Sequence, residues 1–291
     1  MSTEGICWIN NEIVPLQDAS ISVMDHGLLY GDGVFEGIRF FNNKLFLLEP
    51  HLKRLEASAS AIALKIPKKQ HELMQILQTV VNAYEDHQGY IRLIVTRGKG
   101  PLGINPAPCK QPELIIIASA LNMSDEQAQK KGICSIIAST RRIPADCLDP
   151  RIKSLNYLNA IMARIEANNA GVEEALMLNQ QGFLTEGTVD NVFIIKDGAL
   201  YTPPSIDGSL AGITRDLILK LAADAGIATH ITSLAAYDIY AADECFLSGT
   251  GAELLPVNEV DGRKFETCPG PVFRQLKALY QNCLENINCE L

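Results

Sequence analysis

The first 120 residues alternate between short apolar runs and segments in which apolar side chains recur at helical spacing. The runs predict strands, and Asn42-Asn43 is a good turn pair for a hairpin between two of them. Leu52, Leu55 and Ala59 follow Pro50 at helical spacing, which predicts a helix there. Residues 5–12 are predicted to form a strand and a turn, and the other predicted strands are 34–41, 44–47, 90–96 and 113–119. One predicted helix begins at Pro50, and a second covers 71–87.

The pattern restarts after a polar stretch that shows no strand pattern. Residues 122–131 therefore predict an inter-domain connection, with domains at 1–121 and 132–291. The larger C-terminal domain contains Lys153. Its predicted strands are 133–139, 174–179, 191–196 and 243–248, and its predicted helices are 155–169, 214–225 and 271–286.

Composition and charge narrow the function classes. The chain has 291 residues, of which 47% are hydrophobic and 20% charged, and its net charge is −9. This balance is typical of a globular protein and argues against nucleic-acid binding, which needs a basic surface. No signal peptide or apolar run of about 18 residues is visible. The eight cysteines form no CxxC pair or zinc spacing, so we expect reduced thiols, no metal and a cytoplasmic location.

Lys153 is the residue from which the candidate functional groups are identified. An acid follows at Glu186, and two turns of small residues follow at 211–215 and 248–251. A lone lysine is usually a surface charge, a turn glutamate is usually exposed, and Thr214 alone would be a helix cap. Together, however, they supply an amine, a carboxylate and anion-binding turns, which are the parts of a pyridoxal phosphate site.

The combination resembles the class IV, or fold type IV, pyridoxal phosphate aminotransferases, and most closely the branched-chain amino acid aminotransferases. The resemblance runs from about Trp8 to Glu259, and its strongest motif is Glu186-Gly187-Thr188 followed by Asn191-Val192-Phe193. It implies an α+β fold with a small N-terminal α/β domain and a larger C-terminal domain with a barrel-like β core. It also implies a homodimer.

The resemblance assigns each expected contact with the cofactor to a residue of this chain. Lys153 resembles the Schiff-base lysine, Glu186 the partner of the pyridine nitrogen, and Tyr157 the residue near the ring oxygen. The phosphate-binding residues would be Arg54, Ile213, Thr214 and Thr250. Alone, Tyr157 would be a core tyrosine and Arg54 a surface charge.

The substrate residues also follow from the resemblance. Arg92 would hold the side-chain carboxylate of glutamate, and Tyr90 with the Thr250-Gly251 backbone would meet the α-carboxylate. Tyr30 of a second subunit would help Arg92 to hold that carboxylate. The residues expected around the aliphatic part of the substrate are Phe35, Leu102 and Ile104, the last two from a second subunit. The expected substrates are thus small amino acids and 2-oxo acids, namely Leu, Ile or Val with 2-oxoglutarate.

Three alternatives stay open. An aminodeoxychorismate lyase would share the fold, although Phe35-Glu36-Gly37 differs from the Phe-Glu-Thr of those enzymes. A D-amino acid aminotransferase would carry Arg-x-His where this chain has Tyr90-Ile91-Arg92. A non-catalytic scaffold would need neither Lys153 nor Glu186.

Overall fold

The computed structural model describes residues 5–120 and 126–286. Within them the chain divides into two compact units, one of 5–120 with Ile152–Asn156 and the other of 126–151 with 157–286. The predicted domain boundary lies at 121–122, outside the described residues, so the predicted limits stay a prediction. Lys153, which the sequence assigns to the C-terminal domain, packs instead with the first unit.

The first unit is an antiparallel sheet with two longer helices. Its strand order is β2-β1-β6-β5-β3-β4. The elements are β1 (Gly5–Ile9), β2 (Glu12–Pro15), α1 (His26–Tyr30), β3 (Gly33–Phe41), β4 (Lys44–Leu45), α2 (Leu48–Ala61), α3 (Gln70–Ala83), β5 (Gly89–Thr96) and β6 (Glu113–Ser119).

The hairpin and the α2 helix of this unit form as their sequences indicate. Asn42 and Asn43 both have positive φ, 50° and 60°, which is the backbone that a tight two-residue hairpin turn requires. Leu52, Leu55 and Ala59 of α2 are buried in the main core, against strands β3 and β5. This core fixes the positions of the two strands that carry Phe35, Tyr90 and Arg92.

The second unit has a mixed sheet. Nine strands pair within its described residues, in the order β12-β11-β10-β13-β14-β7-β8-β9, with β15 beside β14. The elements are α4 (Glu126–Lys131), β7 (Ile133–Ile137), α5 (Ala145–Leu148), α6 (Leu158–Ala170), β8 (Glu174–Leu178), β9 (Leu184–Glu186), β10 (Asn191–Lys196), β11 (Ala199–Thr202), α7 (Ile213–Asp224), β12 (Thr229–Ile231), α8 (Ala236–Tyr240), β13 (Glu244–Gly249), β14 (Glu253–Val260), β15 (Arg263–Lys264) and α9 (Pro271–Asn286).

Two local predictions are corrected by this unit. Part of the predicted connection is helical, since α4 packs on β14 through contacts that its polar sequence does not reveal. Glu186 is not a turn residue but the last residue of β9, because Met177 of β8 pairs with it. The carboxylate is therefore buried rather than exposed.

The cysteines of the described residues are not all in the same state. Cys283 on α9 is disulfide-bonded, so the expectation of reduced thiols is wrong for this residue; a search for CxxC and metal spacings does not detect a pair of another spacing. The free cysteines are Cys7, Cys109, Cys134, Cys147, Cys245 and Cys268. Among the helices of the described residues, none has the length and apolar character that spanning a membrane requires.

Candidate active site

The main chain around Lys153 is clamped in the first unit. The Phe35 N–H donates to the Lys153 carbonyl at 3.0 Å, and the Leu155 N–H donates to the Gly33 carbonyl at 2.9 Å. The Lys153 N–H donates to Ser58 Oγ of α2 at 3.1 Å. All three contacts use backbone atoms of the segment, so the position of the lysine does not depend on its own side chain.

Phe35 lies beside two cationic side chains that were predicted for different roles. The Lys153 amine is 4.6 Å from the centre of the Phe35 ring. The Arg92 guanidinium carbon is 3.5 Å from the same centre, because Arg92 lies on β5, which pairs with β3. The electron-rich face of an aromatic ring attracts cations. Phe35 thus brings the predicted amine and the predicted carboxylate-binding arginine together.

A buried ion network holds the predicted phosphate-binding arginine. Glu36 is completely buried and accepts from Arg54 Nε at 2.7 Å, Arg54 Nη2 at 2.8 Å and His51 Nδ1 at 2.8 Å. Burial alone would raise the pKa of Glu36, but the Arg54 guanidinium and His51 lower it to about 2. Burial lowers the pKa of His51, against the opposite effect of Glu36. Arg54 is therefore oriented by a carboxylate that is ionised at neutral pH.

Tyr90 and Tyr30 lie at different places in the first unit. The Tyr90 hydroxyl rests on Gly37 of the neighbouring strand, where a Cβ would come within 2.7 Å of the Tyr90 Cζ, so only glycine leaves room for the ring. The Tyr30 hydroxyl accepts from the Gly103 N–H at 2.8 Å. Leu102 and Ile104 flank that glycine and are 73% and 85% exposed. Tyr30, Leu102 and Ile104 thus form one group at the surface.

Glu186 is paired with a cation in the second unit. Its Oε1 lies 2.6 Å from Arg142 Nη2, and its Oε2 accepts from the Leu210 N–H at 2.9 Å. The side chain of Glu186 is 4% exposed. A buried carboxylate needs such partners, since an isolated buried charge is strongly unfavourable. The arrangement presents an oriented anion of the kind that a protonated pyridine nitrogen requires.

The two predicted anion-binding turns meet the loop that follows Glu186. Ile213 is the first residue of α7 and Thr214 the second, so both N–H groups belong to the unpaired set at a helix start. Thr250 and Gly251 follow β13 directly. Gly212 lies against Asn191 Oδ1 and Gly249 against Asp190 Oδ1, in space that any Cβ would fill.

Two buried serine hydroxyls lie beside these turns. Neither Ser209 Oγ nor Ser248 Oγ has a hydrogen-bond partner among residues 5–120 and 126–286. Ser209 precedes Leu210, which binds Glu186, and Ser248 precedes Gly249. Unpaired buried polar groups are rare in folded proteins, so a polar ligand at this place fits the residues present.

Within each unit, several residues that contact the predicted ones are not themselves predicted from the sequence. They are Glu36, His51, Ser58, Arg142, Asp190 and Asn191. Glu36 had a readable signal, because it is the one charged residue within the apolar run Val34-Phe35-Glu36-Gly37-Ile38. Tyr157, by contrast, is predicted and lies at the start of α6 as its N-cap residue, half-buried.

Comparison with known proteins supports these observations. The family model for amino-transferase class IV matches residues 33–260. A protein of Methanocaldococcus jannaschii is 44% identical over 276 residues, which cover 94% of this chain and 95% of that protein.

Two solved structures extend the similarity to the fold. The structure of the Escherichia coli branched-chain amino acid aminotransferase has a TM-score of 0.92 and 33% identity, over 97% of this chain and 95% of that chain. The structure of the Thermobaculum terrenum branched-chain amino acid aminotransferase in its PLP-bound holo-form has a TM-score of 0.88 and 30% identity, over 98% of this chain and 95% of that chain. The predicted α+β, fold type IV class is confirmed.

Proposed function

The chain belongs to the class IV aminotransferase family, and we propose that it is a pyridoxal phosphate-dependent transaminase acting on branched-chain amino acids and 2-oxoglutarate. The solved structures similar to it are named branched-chain amino acid aminotransferases. The observation that carries the proposal is the Lys153 amine, held by a clamped main chain beside Phe35 and Arg92. The lyase, the D-amino acid aminotransferase and the scaffold are not favoured by these relatives.

Each unit offers groups that suit pyridoxal phosphate. When bound, the cofactor supplies an aldehyde that takes up the amino group and a ring that accepts the electron pair released at the substrate α-carbon. Lys153 would bind the aldehyde carbon and move the proton at the substrate α-carbon. Glu186 would accept a hydrogen bond from the pyridine N–H, and Tyr157 would donate one to the ring oxygen.

The phosphate would be bound by groups that favour an anion. The N–H groups of Ile213 and Thr214 lie at the positive end of α7, and the Thr250 hydroxyl would add a donor. Arg54 would add a charge-assisted bond, oriented by Glu36.

The substrate assignment rests on Phe35 and Arg92. Phe35 offers an apolar surface for a branched side chain, and Arg92 offers a cation for the side-chain carboxylate of glutamate. Tyr90 and the Thr250-Gly251 backbone would bind the α-carboxylate. Tyr30, Leu102 and Ile104 would serve the site of a second copy of the chain.

The exposed apolar residues of the first unit support a homodimer. Val23 and Leu28 are exposed in addition to Leu102 and Ile104, and exposed apolar patches commonly mark protein interfaces. We also keep the proposals of a cytoplasmic location and of functional domains at 1–121 and 132–291. The free cysteines and the change in sequence pattern at 122–131 support them.

The proposal is tested with purified protein, pyridoxal phosphate, L-leucine and 2-oxoglutarate. We expect glutamate to form, and the cofactor absorbance to change when leucine alone converts the aldehyde form to the amine form. A protein that binds the cofactor but shows neither change would contradict the assigned reaction. Pyruvate release from aminodeoxychorismate would instead identify the lyase.

Arg92→Ala is expected to lower kcat/KM for glutamate by about tenfold or more, because a hydrogen-bonded ion contact is lost. The value for leucine should change much less, since leucine has no carboxylate in its side chain. Steady-state kinetics with each amino donor measure the two effects. Arg92→Lys is the matched control, which keeps the charge and should recover part of the glutamate activity. Equal losses for both donors would contradict the assignment.

A further inference from the structure

Arg142 forms an ion pair with Glu186, an acid that the proposed function uses. Its Nη2 is 2.6 Å from Glu186 Oε1, and the two side chains are 16% and 4% exposed. The other carboxylate oxygen of Glu186 accepts the Leu210 N–H at 2.9 Å. The carboxylate is thus held at both oxygens, by one charged and one neutral donor.

Arg142 is itself fixed along its whole length. Its backbone N–H donates to the Leu178 carbonyl at 2.9 Å, and its Nε donates to the Gly208 carbonyl at 3.2 Å. Because the main chain and the guanidinium of Arg142 are both hydrogen-bonded, the guanidinium cannot rotate away from Glu186 without breaking the bond to Gly208. A planar group fixed in this way transmits its orientation to the acid it pairs with.

The turn before Arg142 is anchored by a second carboxylate. Glu166 of α6 accepts hydrogen bonds from the N–H and hydroxyl groups of both Ser139 and Thr140. Burial would raise the pKa of Glu166, but these four donors lower it to about 2. The anchor therefore stays charged through the neutral pH range, and Arg142 emerges from a turn of defined geometry.

We propose that Arg142 is a positioning residue for the cofactor, which keeps Glu186 ionised and aimed at the pyridine nitrogen. The inference rests on the proposed function. A buried carboxylate without a cation prefers its neutral form. A neutral Glu186 would no longer compensate a protonated ring, so the ring would accept electrons less well and bind less tightly. Arg142 would thereby act on the cofactor through Glu186.

The test measures equilibrium binding of pyridoxal phosphate to the cofactor-free full chain, by quenching of intrinsic fluorescence. We expect Arg142→Gln to weaken binding by about tenfold or more, as for loss of a charged hydrogen bond. Arg142→Lys keeps the charge and should lose less. Arg141→Gln is the matched control, because Arg141 is the exposed neighbour that bonds only the Ala138 carbonyl among the hydrogen bonds described for its side chain.

Two further arms separate this role from a structural one. A cofactor analogue with carbon in place of the ring nitrogen should bind wild type and Arg142→Gln equally, because it has no N–H for Glu186. In a Glu186→Gln background, adding Arg142→Gln should cost little more, since coupled residues give non-additive effects. The pH dependence of the cofactor absorbance should also move in Arg142→Gln and stay unchanged in Arg141→Gln.

The outcomes distinguish the inference from the proposed function. Equal affinity of wild type and Arg142→Gln for pyridoxal phosphate, in a wild type that transaminates, would overturn the inference alone. An equal loss with the carbon analogue would also overturn it, by indicating general damage to the unit. A wild type that does not bind pyridoxal phosphate would overturn both. If Arg142→Gln does not fold, the neutral Arg142→Met is compared with wild type on both ligands: a loss confined to pyridoxal phosphate supports the inference, and equal affinity or equal losses overturn it.

Discussion

Lys153→Ala is expected to lower transamination of leucine with 2-oxoglutarate by at least about a thousandfold. The amine combines a covalent role with proton transfer, and positioned proton transfer alone contributes about a hundredfold to ten-thousandfold. Alanine has no group that can do either. The measurement is steady-state glutamate formation at saturating pyridoxal phosphate, followed by reaction of leucine alone with the bound cofactor.

The structure indicates that Lys153→Ala removes the amine and leaves the main-chain contacts of the residue in place. The three contacts that hold Lys153 use its N–H, its carbonyl and the N–H of Leu155, and Lys153→Ala keeps them all. We therefore expect a folded protein with little change in melting temperature. Lys53→Ala is the control, because Lys53 is 70% exposed and pairs with exposed Glu49 across one helical turn. A Lys153→Ala protein that transaminates normally would exclude the assigned mechanism.

Helices with a strong apolar period were the most predictable part of the fold. The spacing of Leu52, Leu55 and Ala59 predicts α2, and all three are buried. The start is less certain from sequence, since the helix begins at Leu48 and Pro50 stands inside its first turn. Proline is tolerated there because the first N–H groups of a helix have no intrahelical partner.

The short strands of the second unit were harder to predict, for a physical reason. Strands β9, β12 and β15 have only two or three residues, too few to show an alternating pattern. They exist because longer neighbours supply the pairing, as β11 does for β12. Such elements depend on tertiary contacts, which local sequence does not encode.

The candidate functional residues also divide into those that the local sequence indicates and those that it does not. Lys153 and Glu186 have recognisable neighbours in the chain, so the sequence proposes a role for each of them. Arg142 and Glu36 have no motif that assigns them a role, because each acts through a partner that is distant in sequence. The structure adds the oppositely charged partner of two candidate residues. Arg142 pairs with Glu186, and Glu36 pairs with Arg54. Within each unit, such a pair explains how the buried charges are tolerated.

Glu36→Ala is expected to lower the free energy of unfolding by about 3–5 kcal/mol, the cost of breaking a buried ion pair by removing one partner. Arg54 would lose two hydrogen bonds from its guanidinium and His51 would lose its acceptor. Chemical denaturation of the cofactor-free protein at pH 7 measures the effect. Glu49→Ala is the control, because that carboxylate is 66% exposed and pairs with exposed Lys53, so its loss should cost less than about 1 kcal/mol.

The pH dependence of stability gives Glu36 a second signature. Its pKa is lowered from 4.5 to about 2 in the folded protein, so its ionised form stabilises the fold above pH 4.5 and the contribution is lost as pH falls toward 2. Glu36→Gln cannot titrate at this position. The stability difference between wild type and Glu36→Gln should therefore be largest near neutral pH and shrink steadily below pH 4.5. A difference that stays constant through this range would show that the Glu36 charge does not stabilise the fold.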